Sequence, residues 1–103
     1  MKKTIAGTEV DVNEEGYLTD MNQWTPEMAD VIAGEEGVAP LTDDHRKVLT
    51  YLRELQAQHA SITIRGVGKS GVVTTKELYA LFPGGPLKKA SKIAGIPKPV
   101  GCI

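Results

Sequence analysis

One cysteine, Cys102, is all that this sequence of 103 residues contains. No intramolecular disulfide can form, and the cytoplasm keeps such a thiol reduced. Two histidines, His45 and His59, stand far apart in the chain, so no metal-ligand set is expected, and no cofactor. Aromatic residues are scarce: one Trp, one Phe and three Tyr leave the core to Leu, Ile, Val, Ala and Met. No apolar run approaches the roughly 18 residues that span a bilayer, and no signal-peptide pattern follows Met1. A cytoplasmic protein without membrane contact is expected. A chain this short makes one domain, with little apolar material left to line a large catalytic cleft.

Charge is plentiful, but its two signs are segregated. Residues 1–60 hold twelve acids against five bases; residues 61–103 hold seven bases against Glu77 alone. The basic half either meets an anionic partner or complements the acidic half within the fold.

The local signals describe mostly helix. Residues 4–12 alternate apolar and polar around Gly7, the pattern of a β-hairpin. Thr25-Pro26-Glu27 starts a helix that ends at Gly34 or Gly37. Thr42 caps a second helix, which runs to about His59 with an apolar stripe of Val48, Leu49, Leu52 and Leu55; Arg53 falls on its other side. Residues 62–72 are ambiguous, because Gly66 and Gly68 each weaken a helix by roughly 1 kcal/mol. Thr74 and Glu77 form a capping box for a short helix that stops at Pro83, and Pro86 opens another that ends at Gly95. The expected fold is mainly α: a small bundle of about five helices with an N-terminal β-hairpin and an extended C-terminal arm. Residues 1–95 form the domain and 96–103 the arm.

The arm carries the chemistry. Pro97 and Pro99 forbid helix and favour stiff polyproline II. Lone cysteines mostly fill cores, yet Cys102 sits next to last, behind Pro-Lys-Pro and Gly101, where a core position is not expected. Gly101 removes bulk beside the thiol, which suits entry into a partner's narrow site. The carboxylate of Ile103 disfavours the thiolate, and cations oppose that effect, with Lys98 and Arg65 as candidates. His45 reads as a first-turn surface residue, His59 as a helix C-terminal partner, and Trp24 and Tyr79 as core or semi-core residues. Lys88, Lys89 and Lys92 recur at near-helical spacing, forming either a basic face for an acidic partner or tRNA, or a solvated surface.

The block Leu78-Tyr79-Ala80-Leu81-Phe82-Pro83-Gly84-Gly85-Pro86, followed by Lys92-Ile93-Ala94-Gly95-Ile96-Pro97-Lys98-Pro99-Val100-Gly101-Cys102-Ile103, closely resembles the DsrC/TusE family. Asp11, Glu15-Gly16-Tyr17-Leu18 and Trp24 fit the same pattern. The resemblance implies a helical domain with a mobile C-terminal arm whose penultimate cysteine, here Cys102, is reactive. Respiratory members carry a second cysteine at the position held here by Ser91, and the two bridge a sulfur atom released by sulfite reductase. A serine hydroxyl cannot do this. The Gly66-Val67-Gly68 stretch departs from the usual family sequence, although Arg65 and Lys69 match its basic positions.

The function expected from the resemblance is sulfur carriage, by a sulfurtransferase-like carrier rather than a stand-alone enzyme. Cys102 accepts persulfide sulfur from an upstream donor protein and relays it to an acceptor protein, such as a tRNA thiolase or a sulfite reductase-like complex, with indirect contact to tRNA among the expected partners. A gamma-type accessory subunit of dissimilatory sulfite reductase is the alternative within the family, and Ser91 argues against it. A helix-turn-helix DNA-binding regulator, built on residues 42–59 and 74–82 with the basic C-terminal half, is the alternative outside it.

Overall fold

A tight turn at Ala6 and Gly7 begins the fold. In the computed structural model, which describes residues 1–38 and 40–98, strand β1 (Lys2–Ile5) pairs antiparallel with β2 (Thr8–Asp11), Ile5 opposite Thr8. Both turn residues have positive φ (52° and 79°), the geometry that matches a two-residue loop to the right-handed twist of its strands. Alternation then sends Ile5 and Val10 inward, and Val12 bridges Leu18.

A 3-10 turn (Met21–Gln23) leads into α1 (Pro26–Glu35), α2 (Asp43–Ala57), α3 (Ile64–Gly68), α4 (Thr75–Leu81) and α5 (Pro86–Ile93). This is the expected bundle of five helices with an N-terminal hairpin. No helix among the described residues is long and apolar enough to cross a membrane. Thr42, Thr63 and Thr74 each accept a bond from the third residue of the helix they precede. The ambiguous stretch is resolved as α3, and its glycines permit close packing. A Cβ on Gly68 would overlap Thr75 Oγ1, and one on Gly66 would lie 2.9 Å from Thr63 Oγ1.

The capping box on α4 is the one its sequence announces: Glu77 N–H donates to Thr74 Oγ1 at 3.1 Å, and Thr74 N–H donates to Glu77 Oε1 at 3.0 Å. The backbone and side-chain bonds from Thr74 hold the Glu77 carboxyl below its ordinary value near 4.5. Its contribution is therefore fully present above about pH 4.5 and is lost as the pH falls through the lower folded value. A Glu77→Gln variant should unfold at lower urea than the parent at pH 7, and the gap should close toward pH 3. A gap independent of pH would show that the charge is irrelevant to the cap.

His45 corrects the sequence reading. It is buried, 7% exposed, rather than on the surface. Nδ1 accepts from Thr42 N–H at 3.1 Å, which leaves the proton on Nε2 to donate to the Leu81 carbonyl at 2.9 Å. The ring meets Phe82 edge-on at 5.1 Å. One side chain thus completes the α2 cap and ties it to the end of α4. Tyr79 is displaced the other way: it is 49% exposed and lies outside the core.

Three helices end in the same way. Val38 N–H bonds Ala33 O after α1, Ala60 N–H bonds Leu55 O after α2, and Ile96 N–H bonds Ser91 O after α5. Each closes a Schellman motif around one left-handed residue: Gly37 (φ 75°), His59 (φ 56°) and Gly95 (φ 70°). His59 is exposed and carries a Cβ in a conformation that disfavours one. His59→Gly should therefore raise stability by about 0.5–1 kcal/mol, the strain relieved exceeding the chain entropy that glycine adds to the unfolded state. A urea midpoint that stays or falls would contradict this.

Helix α5 is the structural centre. It packs on α1, α2 and α4, burying Leu87, Ala90, Ser91 and Ile93. Burial of Leu87 and Ile93 contributes about 1.5–3 kcal/mol each. The chain that follows therefore leaves from the best-anchored element of the fold. Ile96, counted with the arm in the sequence reading, is itself fully buried; Pro97 is the first exposed residue after it.

Candidate functional site

Trp24 and Arg53 converge on the last turn of α5, where the C-terminal segment begins. Trp24 Nε1–H donates to the Ile93 carbonyl at 2.8 Å. Arg53 Nη1 donates to the Ala94 carbonyl at 2.8 Å, and Nη2 to the Met21 carbonyl at 2.9 Å. The guanidinium also stacks on the Trp24 ring, 4.2 Å from its centroid. Burial lowers the Arg53 pKa from its ordinary value, but the group remains a cation at neutral pH. Its charge lies where the dipole of α5 is negative. Gly95 fits only as glycine, since a Cβ there would overlap Trp24 Cδ1 and lie 2.6 Å from Cγ.

Below this turn lies Ser91. It is fully buried, and its Oγ has no hydrogen-bond partner among the described residues. A buried hydroxyl left unpaired costs about 1–3 kcal/mol.

The remaining expected site residues are dispersed. Lys98 Nζ pairs with Glu15 at 3.1 Å, so its charge is already opposed. Arg65 is exposed on α3 and makes no ion pair among the described residues. Pro97 is exposed, and with Lys98 it borders an open groove of about 400 Å³ against Gln56, His59 and Ile62. Pro99, Gly101 and Cys102 lie outside the described residues. A second open groove, about 650 Å³, runs along α2 past Asp43 and Tyr51. It contains no cysteine or serine to serve as a nucleophile.

The basic half of the chain is partly answered by the acidic half. Lys92 pairs with Glu36 at 3.2 Å, and Lys89 donates to the Glu36 carbonyl, also at 3.2 Å. Tyr17 underlies this region: its hydroxyl donates to the Lys88 carbonyl at 3.0 Å, and burial, followed by Glu15 and Glu36, raises its pKa so that it remains a donor. Lys88, Lys69 and Lys76 make no ion pair among the described residues.

Sequence reasoning missed Arg53 as a site residue and read it as part of the solvated face of α2. Its place beside Leu52, four residues after Leu49, puts it at the edge of the apolar stripe, and that was the available signal. Which carbonyls it would meet could not be read from spacing.

Comparison with known proteins now bears on this arrangement. A family model described as "DsrC like protein" matches residues 4–103. The gamma subunit of the dissimilatory-type sulfite reductase of Nitratidesulfovibrio vulgaris is 35% identical over 101 residues, 97% of this chain and 96% of that one. The sulfurtransferase TusE of Escherichia coli is 40% identical over 105 residues, 94% of this chain and 95% of its own length. The solution structure of Allochromatium vinosum DsrC superposes with a TM-score of 0.80 at 38% identity, covering all of both chains. The likeness spans the hairpin, the five helices and the C-terminal segment, and the chain belongs to the DsrC/TusE sulfur-relay family.

Proposed function

We propose that this protein is a one-cysteine sulfur carrier of the TusE kind. The observation that carries the reading is the placement of its only cysteine, Cys102, seven residues beyond Gly95, behind two prolines and a glycine. The Cys102 thiolate attacks the outer sulfur of a donor protein's persulfide. A new S–S bond forms at Cys102, the donor's S–S bond breaks, and its electron pair leaves on the donor thiolate. The step needs no external oxidant or reductant. An acceptor protein then takes the sulfur in the same way, and a tRNA thiolase fits the TusE likeness. The reading places this exchange in the cytoplasm.

Ser91 favours this role over that of a sulfite reductase gamma subunit, because its hydroxyl cannot close an internal disulfide with Cys102. Arg65 is an exposed cation without an ion pair among the described residues, and it could meet a partner's carboxylate or the persulfide anion. The cellular test is the 2-thiouridine content of tRNA in cells lacking the gene. Wild type should restore it and Cys102→Ser should not. Full restoration by Cys102→Ser would refute the role, and salt-sensitive DNA binding independent of Cys102 would support a regulator instead.

A further inference from the structure

We propose that Arg53 and Trp24 are positioning residues for sulfur transfer: they fix the direction in which the C-terminal segment leaves the domain, and so where Cys102 is presented. This rests on the carrier reading above. Four contacts support it, and three of them fall on the consecutive residues 93–95. Trp24 holds the Ile93 carbonyl, Arg53 holds the Ala94 carbonyl, and the indole covers the α-carbon of Gly95 so closely that no Cβ fits. Arg53 also holds Met21 O, which ties the exit to the segment that carries Trp24. The Ile96 N–H, bonded to Ser91 O, closes the turn.

Core packing alone would not require this chemistry. A guanidinium satisfying two carbonyls from separate segments while stacked on an indole uses the planar fork that lysine lacks. Cys102 follows Ile96 by six positions, a reach of at most about 20 Å, so the direction set at Gly95 decides which region around the domain the thiol can sample. Misplacement of about 1 Å already lowers reactivity between positioned groups by roughly two orders of magnitude. Pro97, with its fixed φ, transmits the angle instead of absorbing it.

The protein supplies its own probe, since it holds one Trp and one Cys. An acceptor dye on Cys102 reports its distance from Trp24 through time-resolved energy transfer, each variant being compared with its own unlabelled form. Arg53→Met removes both carbonyl bonds, and Arg53→Lys keeps the charge but lacks the fork. In folded protein, Arg53→Met should broaden the distance distribution about twofold, with Arg53→Lys between it and wild type. Alkylation of Cys102 by iodoacetamide and its loading by inorganic polysulfide should change by less than about twofold, because neither depends on presentation to a protein. If Arg53→Met fails to fold, Arg53→Lys alone decides. An unchanged distribution in a folded variant overturns the proposal and leaves Arg53 a purely structural residue. If the distances behave as expected but wild type takes no sulfur from polysulfide, the carrier reading fails and the positioning geometry stands.

Discussion

Gly95→Ala should destabilise the protein by about 2–5 kcal/mol, whereas Gly37→Ala should cost only about 1–2 kcal/mol. The two glycines occupy the same position in the same helix-ending motif, with φ of 70° and 75°. Left-handed backbone costs an alanine about 1–2 kcal/mol at either site. The surroundings differ. A Cβ at residue 37 meets nothing within 4 Å, while at residue 95 it overlaps the Trp24 ring and lies 2.8 Å from Trp24 Cβ. The indole is rigid and cannot yield as a long side chain would. It must shift, giving up its bond to Ile93 O and disturbing the Arg53 stack, and overpacking of this kind costs about 1–3 kcal/mol more. Total stabilities of domains lie near 5–15 kcal/mol, so the first variant should be visibly crippled and the second should not. Urea unfolding measures both. Equal losses would show that Trp24 does not press on the turn.

Ser91→Cys should gain both stability and a new covalent option. The native hydroxyl is buried and unpaired among the described residues, so replacing it with a weakly polar thiol should add about 1 kcal/mol. The segment bearing Cys102 starts beside this residue, since Ile96 N–H bonds the Ser91 carbonyl itself. The six residues from Ile96 can extend about 20 Å, more than enough to fold back to it. Under mild oxidation the variant should lose about 2 Da as an internal disulfide closes, given α-carbons within about 7 Å. Because residue 91 is fully buried, closure also requires whatever covers it to give way. A variant that stays reduced, or forms only intermolecular dimers, would show that the segment does not reach residue 91 or that the cover over it does not open, and in either case that sulfur passes only between proteins.

Much of this architecture was legible because its signals are local. Thr74 with Glu77, Pro26 and Pro86 at helix starts, and Gly37 and Gly95 after helix ends all act within one turn of themselves. The hairpin was equally plain around Gly7. What escaped depends on distant partners. His45 fills the capping-box place where Glu or Gln is usual, and it is buried only because Leu81 and Phe82 arrive above it. Gly66 and Gly68 read as helix breakers until Thr63 and Thr75 are seen to need the space. The proposed site divides in the same way. Cys102 was singled out by its place in the sequence, whereas Arg53 and Trp24 act on carbonyls 41 and 69 residues away, which no periodicity reveals.

The central claim is that Cys102 accepts sulfur. Its most direct test is the intact mass of the protein after incubation with a persulfurated donor. The parent should gain about 32 Da per sulfur atom, removable by a thiol reductant, and Cys102→Ser should gain nothing while unfolding at an unchanged urea concentration. A parent mass that stays unmodified with every persulfide donor offered would contradict the account.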